Sequence, residues 1–130
     1  MTHYVGILDG SGSVWGVRVP DLPGVHGGGE TPEAAIADAI SAAREWAAQV
    51  ASKGTAIPAP RTLQEVLSEV EEGEATVMVP LLLDAGRTVK ANVTFDAGLL
   101  EAIDAEAKQR GLTRAAFLAS AAREKIEARR

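Results

Sequence analysis

The chain has 130 residues, no cysteine, two histidines and a net charge of −5. This composition excludes disulfides, argues against a classical zinc site, and suits one ordinary domain or two small ones. Alanine supplies much of the 46% hydrophobic share and aromatic residues only 4%, so we expect thin cores that gain support from oligomerisation. No segment has a signal-peptide pattern or the length of a membrane span, so we expect a cytoplasmic protein without membrane contacts.

The charge is divided unevenly along the chain. Residues 1–86 contain twelve acidic and four basic residues, a net −8, whereas residues 87–130 contain nine basic and six acidic residues, a net +3. We therefore predict two domains with these bounds, an acidic one suited to a basic protein and a basic one suited to phosphate. Small domains also vary this much by chance, so charge alone does not decide the assignment.

The first part of the chain predicts three short strands. Residues 4–8 are apolar and end at a turn rich in glycine and serine, and residues 14–19 alternate large apolar with small or charged side chains. This pattern predicts a hairpin. A proline-bounded turn at 20–24 ends the pairing, and residues 25–29 predict a brief third strand that three consecutive glycines weaken.

A long helix is predicted next. Thr31 is a good N-cap, Pro32 fits the first helical position, and Gly54 suits the end. Its predicted core face is mostly alanine, which lets a sheet approach closely, and Trp46 is expected in the core or an interface. That face comprises Ile36, Ile40, Ala43, Ala47 and Val50.

A proline-rich connector at 56–61 precedes a short helix that a capping box at Thr62 begins. The acidic residues 69–74 predict a solvated turn. Residues 76–83 predict a further strand, which Pro80 restricts to a sheet edge or a bulge because proline cannot donate to a ladder.

Two pieces of this region carry a family resemblance. Residues 17–24 read Val-Arg-Val-Pro-Asp-Leu-Pro-Gly, and residues 29–35 read Gly-Glu-Thr-Pro-Glu-Ala-Ala. Together they resemble the HicB antitoxin family over roughly the first 85 residues, with Val25 standing where many members have a small polar residue or cysteine. The resemblance implies a truncated RNase H-like sheet with a helix, a small RNase toxin, HicA, as partner, and often a DNA-binding domain at the carboxyl end.

The acidic region offers no catalytic constellation. Metal-dependent RNase H chemistry needs several carboxylates that converge on two ions. Asp9 ends the first strand, Asp21 lies in the proline-bounded turn, and Asp38 and Glu45 lie on the presumed solvent side of the helix. We therefore expect no enzyme activity, no metal and no other cofactor.

The basic region begins with a predicted strand. Its side chains alternate between two faces, with Lys90, Asn92 and Thr94 on one and Ala91, Val93 and Phe95 on the other. This strand has no partner within its own region, so its backbone must pair elsewhere, and a second copy of the chain is the simplest source.

Two helices are predicted to follow. Asp96 caps the first, which runs through Arg110 and ends at Gly111, and Thr113 caps the second, whose final turns are basic. The predicted apolar stripes are Leu99, Leu100, Ile103 and Ala107 on the first helix and Phe117, Leu118, Ala121, Ala122 and Ile126 on the second.

This strand-helix-helix order resembles a CopG/Arc-type ribbon-helix-helix domain over residues 88–128. The resemblance implies a dimer whose antiparallel ribbon enters the major groove, with Lys90, Asn92 and Thr94 on base edges and Ala91, Val93 and Phe95 in the dimer core. It also implies that the start of the second helix, at Thr113, Arg114 and Ala115, holds phosphate. Alternatively, the outward residues are the solvent face of an ordinary edge strand, where lysine is common.

The sequence thus predicts an α+β antitoxin, a partial RNase H-like domain followed by a ribbon-helix-helix domain. Its expected partners are operator DNA, a small basic HicA-like RNase toxin and further copies of itself, as a homodimer or tetramer. A second hypothesis is a ribbon-helix-helix regulator without a toxin, whose first domain binds a ligand or another protein. A nuclease is the third hypothesis and has the least support.

Overall fold

A computed structural model of the chain describes residues 1–83 and 87–128. The chain forms two compact units, Met1–Asp84 and Ala85–Arg130. The predicted boundary between residues 86 and 87 adjoins residues 84–86, which lie outside the described residues, as do the basic residues Arg129 and Arg130.

The first unit is α+β and is built on a four-stranded antiparallel sheet in the order β3-β2-β1-β4. The predicted hairpin, third strand and late strand are confirmed, and Pro80 lies in an edge strand as expected. The strands are β1 (Thr2–Ser11), β2 (Val14–Arg18), β3 (His26–Gly29) and β4 (Ala75–Leu81).

Local capping signals set the helix starts of the first unit. Helix α1 (Pro32–Ser52) begins where the Thr31 side chain accepts a hydrogen bond from the Ala34 N–H at 3.1 Å. Helix α2 (Leu63–Val66) begins with the predicted capping box, in which Thr62 and Glu65 each accept from the other's N–H at 3.2 Å. A 3₁₀ turn (Leu67–Glu69) continues α2.

Helix α1 packs on one face of the sheet through small residues. At Gly27 in β3, a Cβ atom would lie 2.3 Å from the Ala39 nitrogen and 2.4 Å from the Ala35 oxygen of α1, so only glycine permits this approach. Two of the three glycines that were predicted to weaken the third strand, Gly27 and Gly29, are therefore required for packing against α1, whereas a Cβ at Gly28 would meet no atom closer than 3.7 Å. The close approach also shifts the buried face of α1, because Ala35 and Ala39 are buried whereas Ile36 is only half-buried.

A large cluster fills the space between α1 and the sheet. Trp46 is partly buried against it, which confirms its predicted place in the core. The other sheet face is covered at Val5 and Ile7 by Val66 of α2. The larger cluster comprises Tyr4, Val17, Val19, Leu22, Val25, Ala35, Ala39, Ile40, Ala43, Ala47, Val79 and Leu81.

The second unit contains helices α3 (Ala97–Gln109) and α4 (Arg114–Glu127). Both predicted N-caps are confirmed, since Asp96 accepts from the Leu99 N–H and Thr113 from the Ala116 N–H, each at 3.1 Å. Gly111 ends α3 with a φ of +69°, the left-handed conformation that favours glycine.

Within one chain, the second unit leaves most of its apolar residues uncovered. Among residues 87–128, the buried hydrophobic residues are Ile103 and Ala107. Val89 and Val93 are 76% and 68% exposed, and Leu99, Leu112 and Ile126 are also exposed. Residues 88–96 form no strand with the described part of the chain, so ribbon pairing with a second copy stays a prediction.

Candidate functional site

The proline-bounded turn of the first unit is tied to the connector that precedes α2. Both oxygens of Asp21 are engaged by Arg61, one by its backbone N–H at 2.7 Å and the other by its Nε at 2.6 Å. The Asp21 side chain is only 8% exposed, and Arg61 also contacts Glu69 through Nη1 at 2.6 Å. Asp21 therefore holds the fold together rather than facing a ligand.

A second contact fastens the same connector to the sheet. The buried Tyr4 of β1 donates its hydroxyl hydrogen to the carbonyl oxygen of Pro58. Burial and the nearby Asp21 carboxylate raise the pKa of Tyr4, so the hydroxyl keeps its proton and remains a donor. Tyr4 and Asp21 thus fix the connector from two sides.

The acidic segment before β4 is anchored to the sheet at Glu74. The prediction of a solvated turn over residues 69–74 is therefore wrong at this last residue. Glu74 receives two hydrogen bonds from Arg18 of β2, at 2.5 and 3.0 Å, and one from the Glu71 N–H at 2.9 Å. Arg18 lowers the pKa of Glu74 to about 2, with help from the backbone bond. Arg18 reaches the turn because β2 and β4 lie on either side of β1 in one sheet.

The carboxylates considered for catalysis do not form a metal centre in the described residues. No group of three or more histidines or acidic residues in residues 1–83 and 87–128 is placed to hold an ion. Asp21 is paired with Arg61, and Asp38 accepts a hydrogen bond from the Gly28 N–H at 2.9 Å. Their placement gives no support to the nuclease hypothesis.

Many acidic side chains of the first unit remain on its surface. They come from the sheet, from α1 and the turn before it, and from α2 and the segment that follows it. These exposed residues are Asp9, Glu30, Glu33, Asp38, Glu45, Glu65, Glu69, Glu71 and Glu72. Such a surface attracts a basic partner over several ångströms.

The residues predicted to read DNA bases are accessible in the single chain. Lys90, Asn92 and Thr94 are all exposed, as the hypothesis requires. Ala91 and Val93, predicted to lie in a dimer core, are exposed as well, and Phe95 is half-buried. One chain alone therefore does not distinguish the two faces of this segment.

The start of α4 differs from the expected open phosphate site. Thr113 uses its side-chain oxygen to cap the helix, and Ala115 is exposed. Arg114, however, is paired with Asp104 of α3, with Nε and Nη2 each 2.8 Å from a carboxylate oxygen. This pairing lowers the pKa of Asp104. The phosphate site was predicted from the position of the helix cap at Thr113, and that local signal contains no information about a pairing between Arg114 and Asp104.

None of the helices in residues 1–83 and 87–128 combines the length and the hydropathy that a membrane span needs.

Residues 4–122 match the family model described as the HicB-like antitoxin of bacterial toxin-antitoxin systems. The chain therefore belongs to the HicB-like antitoxin family. The match extends through the sheet unit and most of the helical unit, so it covers both surfaces described above.

Solved structures agree with this assignment. The antitoxin HicB of Burkholderia pseudomallei is 31% identical over 97% of both chains, with a TM-score of 0.55. The antitoxin HicB3 is 26% identical over 96% of this chain and 98% of its own, with a TM-score of 0.53. A chain of the HicA3 and HicB3 toxin-antitoxin complex shares the fold at 18% identity, covering 64% of this chain and 99% of its own, with a TM-score of 0.50. Comparison with curated proteins gave no match.

Proposed function

We propose that this antitoxin neutralises a small, basic, HicA-like RNase toxin through its first unit and represses its own operon through its second unit. The observation that carries the proposal is the family match, which spans residues 4–122 and so includes both units. In this proposal residues 1–86 form a partial RNase H-like domain, and residues 87–130 form a ribbon-helix-helix domain.

Charge supports the toxin-binding half of the proposal. The first 86 residues carry a net −8, and most of the acidic side chains are exposed. Exposed charges of one sign speed the encounter with a partner of the other sign, and a nuclease that binds RNA is expected to be basic. The HicA3 and HicB3 complex provides a precedent for a toxin bound to a protein of this fold.

Exposed apolar surface supports the DNA-binding half. A second copy would cover Val89, Val93 and Leu99, which one chain leaves in solvent, and would supply a partner strand for residues 90–95. In the paired ribbon, Lys90, Asn92 and Thr94 would face the bases, and the basic charge of the unit would favour the phosphate backbone.

Co-expression tests the toxin-binding half. The product of the open reading frame next to this gene is induced in a bacterial host with and without the antitoxin, and growth is followed. We expect arrest by the neighbour alone, rescue by the antitoxin, and co-purification of the two proteins. Rescue by the carboxyl-terminal 44 residues alone would contradict the assignment of toxin binding to the first unit.

Binding of the full chain to the DNA upstream of its own gene tests the other half. We expect a shift of the promoter duplex at lower protein concentration than that of a scrambled duplex. DNA binding without any growth rescue would favour the regulator that has no toxin. Rescue without DNA binding would leave the second unit as a dimerisation device.

A further inference from the structure

The Arg114 side chain has a competing anion within its own chain. Asp104 lies in the middle of α3, and Arg114 is the first residue of α4. Both carboxylate oxygens of Asp104 are used, one by Nε and the other by Nη2, at 2.8 Å each. The Asp104 and Arg114 side chains are 44% and 55% exposed, so the pair lies at the surface where a polyanion can reach it.

The pair leaves Arg114 able to bind phosphate, but less strongly. A guanidinium has five N–H donors in a fixed fork, and the carboxylate occupies the edge formed by Nε and Nη2. The other donors remain available. The Asp104 carboxylate, however, offsets the positive charge of the Arg114 guanidinium. Contact between the paired arginine and the DNA backbone therefore releases fewer of the counterions that are condensed on the phosphates.

We infer that Asp104 acts as an internal competitor that weakens phosphate anchoring by Arg114 and so limits binding to DNA of any sequence. The inference rests on the proposed DNA-binding function and concerns the strength of its anchoring contact. Because phosphate contacts carry no sequence information, the competitor lowers affinity for operator and random DNA alike. The base-reading segment then contributes a larger share of the total affinity for the operator, while the ratio of the two affinities stays the same.

The chain offers a matched control for this inference. Glu106 is also on α3 and also pairs with an arginine, since its Oε1 accepts from the Arg110 Nε at 2.9 Å. Asp104→Asn and Glu106→Gln each remove one negative charge and one ion pair from the same helix. They differ in the arginine that is released, because Arg110 lies at the carboxyl end of α3 rather than at the start of α4.

The experiment measures the Kd of the full chain for a fluorescently labelled scrambled duplex and for its promoter duplex, at several salt concentrations. Because an exposed ion pair is weak and a dimer would hold two, we expect Asp104→Asn to lower Kd roughly three- to tenfold on both duplexes. The slope of log K against log salt should steepen by about 0.9 for each additional phosphate that the variant neutralises. Glu106→Gln should change both quantities less, and Arg114→Ala should abolish the improvement from Asp104→Asn in the double variant.

Three results would overturn the inference while the proposed function stands. They are equal improvements for Asp104→Asn and Glu106→Gln, weaker binding by Asp104→Asn, and an improvement that persists without Arg114. If neither the parent nor any variant binds either duplex, the DNA-binding half of the proposed function fails, and the inference fails with it. Thermal melts verify folding, and Asp104→Ala serves as a second variant at the same site.

Discussion

The two units differ in how much of their stability one chain can supply. The first unit closes a core between α1 and the sheet and fastens its connector with Tyr4, Asp21 and Arg61. The second unit buries only Ile103 and Ala107 among the hydrophobic residues described. Because a core of that size is small for an independent domain, we predict that a second copy of the chain completes it. On this prediction, folding and assembly are separable in the first unit and coupled in the second.

The largest expected effect is the loss of dimers when proline replaces Val93 in the second unit. Val93→Pro removes a backbone N–H and an apolar side chain from the predicted ribbon, and each dimer carries the change twice. We expect loss of dimers at micromolar concentration, measured by analytical ultracentrifugation, while the sheet of the first unit persists in circular dichroism. Asn92→Ala, on the opposite face, is the control and should stay dimeric. A Val93→Pro chain with unchanged assembly would show that the ribbon is not the dimer contact.

An added methyl group at Gly27 should destabilise the first unit. Gly27→Ala forces Cβ into the backbone of α1, and we expect a loss of about 3 kcal/mol in the free energy of unfolding, measured with urea. Gly28→Ala is the matched control, because the nearest atom to its Cβ lies 3.7 Å away. It should change stability by less than about 0.5 kcal/mol. Equal effects at both positions would refute the close approach of α1 to β3.

Binding measurements separate base contacts from phosphate contacts in the second unit. Asn92→Ala should cost about 1–3 kcal/mol on the promoter duplex and much less on a scrambled duplex, because a contact to a base edge is lost. Arg114→Ala should weaken both duplexes to a similar degree. Fluorescence anisotropy titrations of both variants decide the matter. Equal losses on both duplexes for Asn92→Ala would place Asn92 outside the reading face.

The smallest expected effect is the acid dependence that the Glu74 carboxylate gives to the stability of the first unit. Folding lowers the pKa of Glu74 from 4.5 to about 2, so between these values the unfolded chain binds the proton more readily than the folded chain. The stabilising effect of the Glu74 carboxylate is complete above pH 4.5 and is lost as the pH falls toward 2. Glu74→Gln should flatten the acid limb of a stability profile measured by thermal melts. Glu72→Gln is the control, and a flattening of equal size there would argue against a specific role of the Arg18 pair.

Local signals in the sequence predicted the elements well. Thr31, Thr62, Asp96 and Thr113 each cap a helix through an atom only three residues away, so a short window contains all the information. Alternation predicted the second strand of the hairpin for the same reason, since side-chain direction depends on neighbours along the chain.

The contacts that hold the site together could not be predicted in this way. Arg18 and Glu74 are 56 residues apart, and Asp21 and Arg61 are 40 apart. Their pairing depends on where the sheet and the connector lie, which no local pattern records. The same holds for Arg114 and Asp104, which meet only because α3 and α4 pack together. Residues 90–95 present the opposite case, a clear strand pattern whose partner is not in the described part of the chain.

The hydrogen bond between the Gly28 N–H and Asp38 has a consequence for solubility. Gly28 belongs to β3, an outer strand, where an unpaired N–H would invite a strand from another molecule. The Asp38 carboxylate of α1 accepts a hydrogen bond from that N–H, and at the other edge Pro80 of β4 has no N–H to donate. Each edge strand therefore has one position that cannot donate to a strand of another molecule. This hinders hydrogen-bonded pairing of sheet edges between copies of the antitoxin at high concentration.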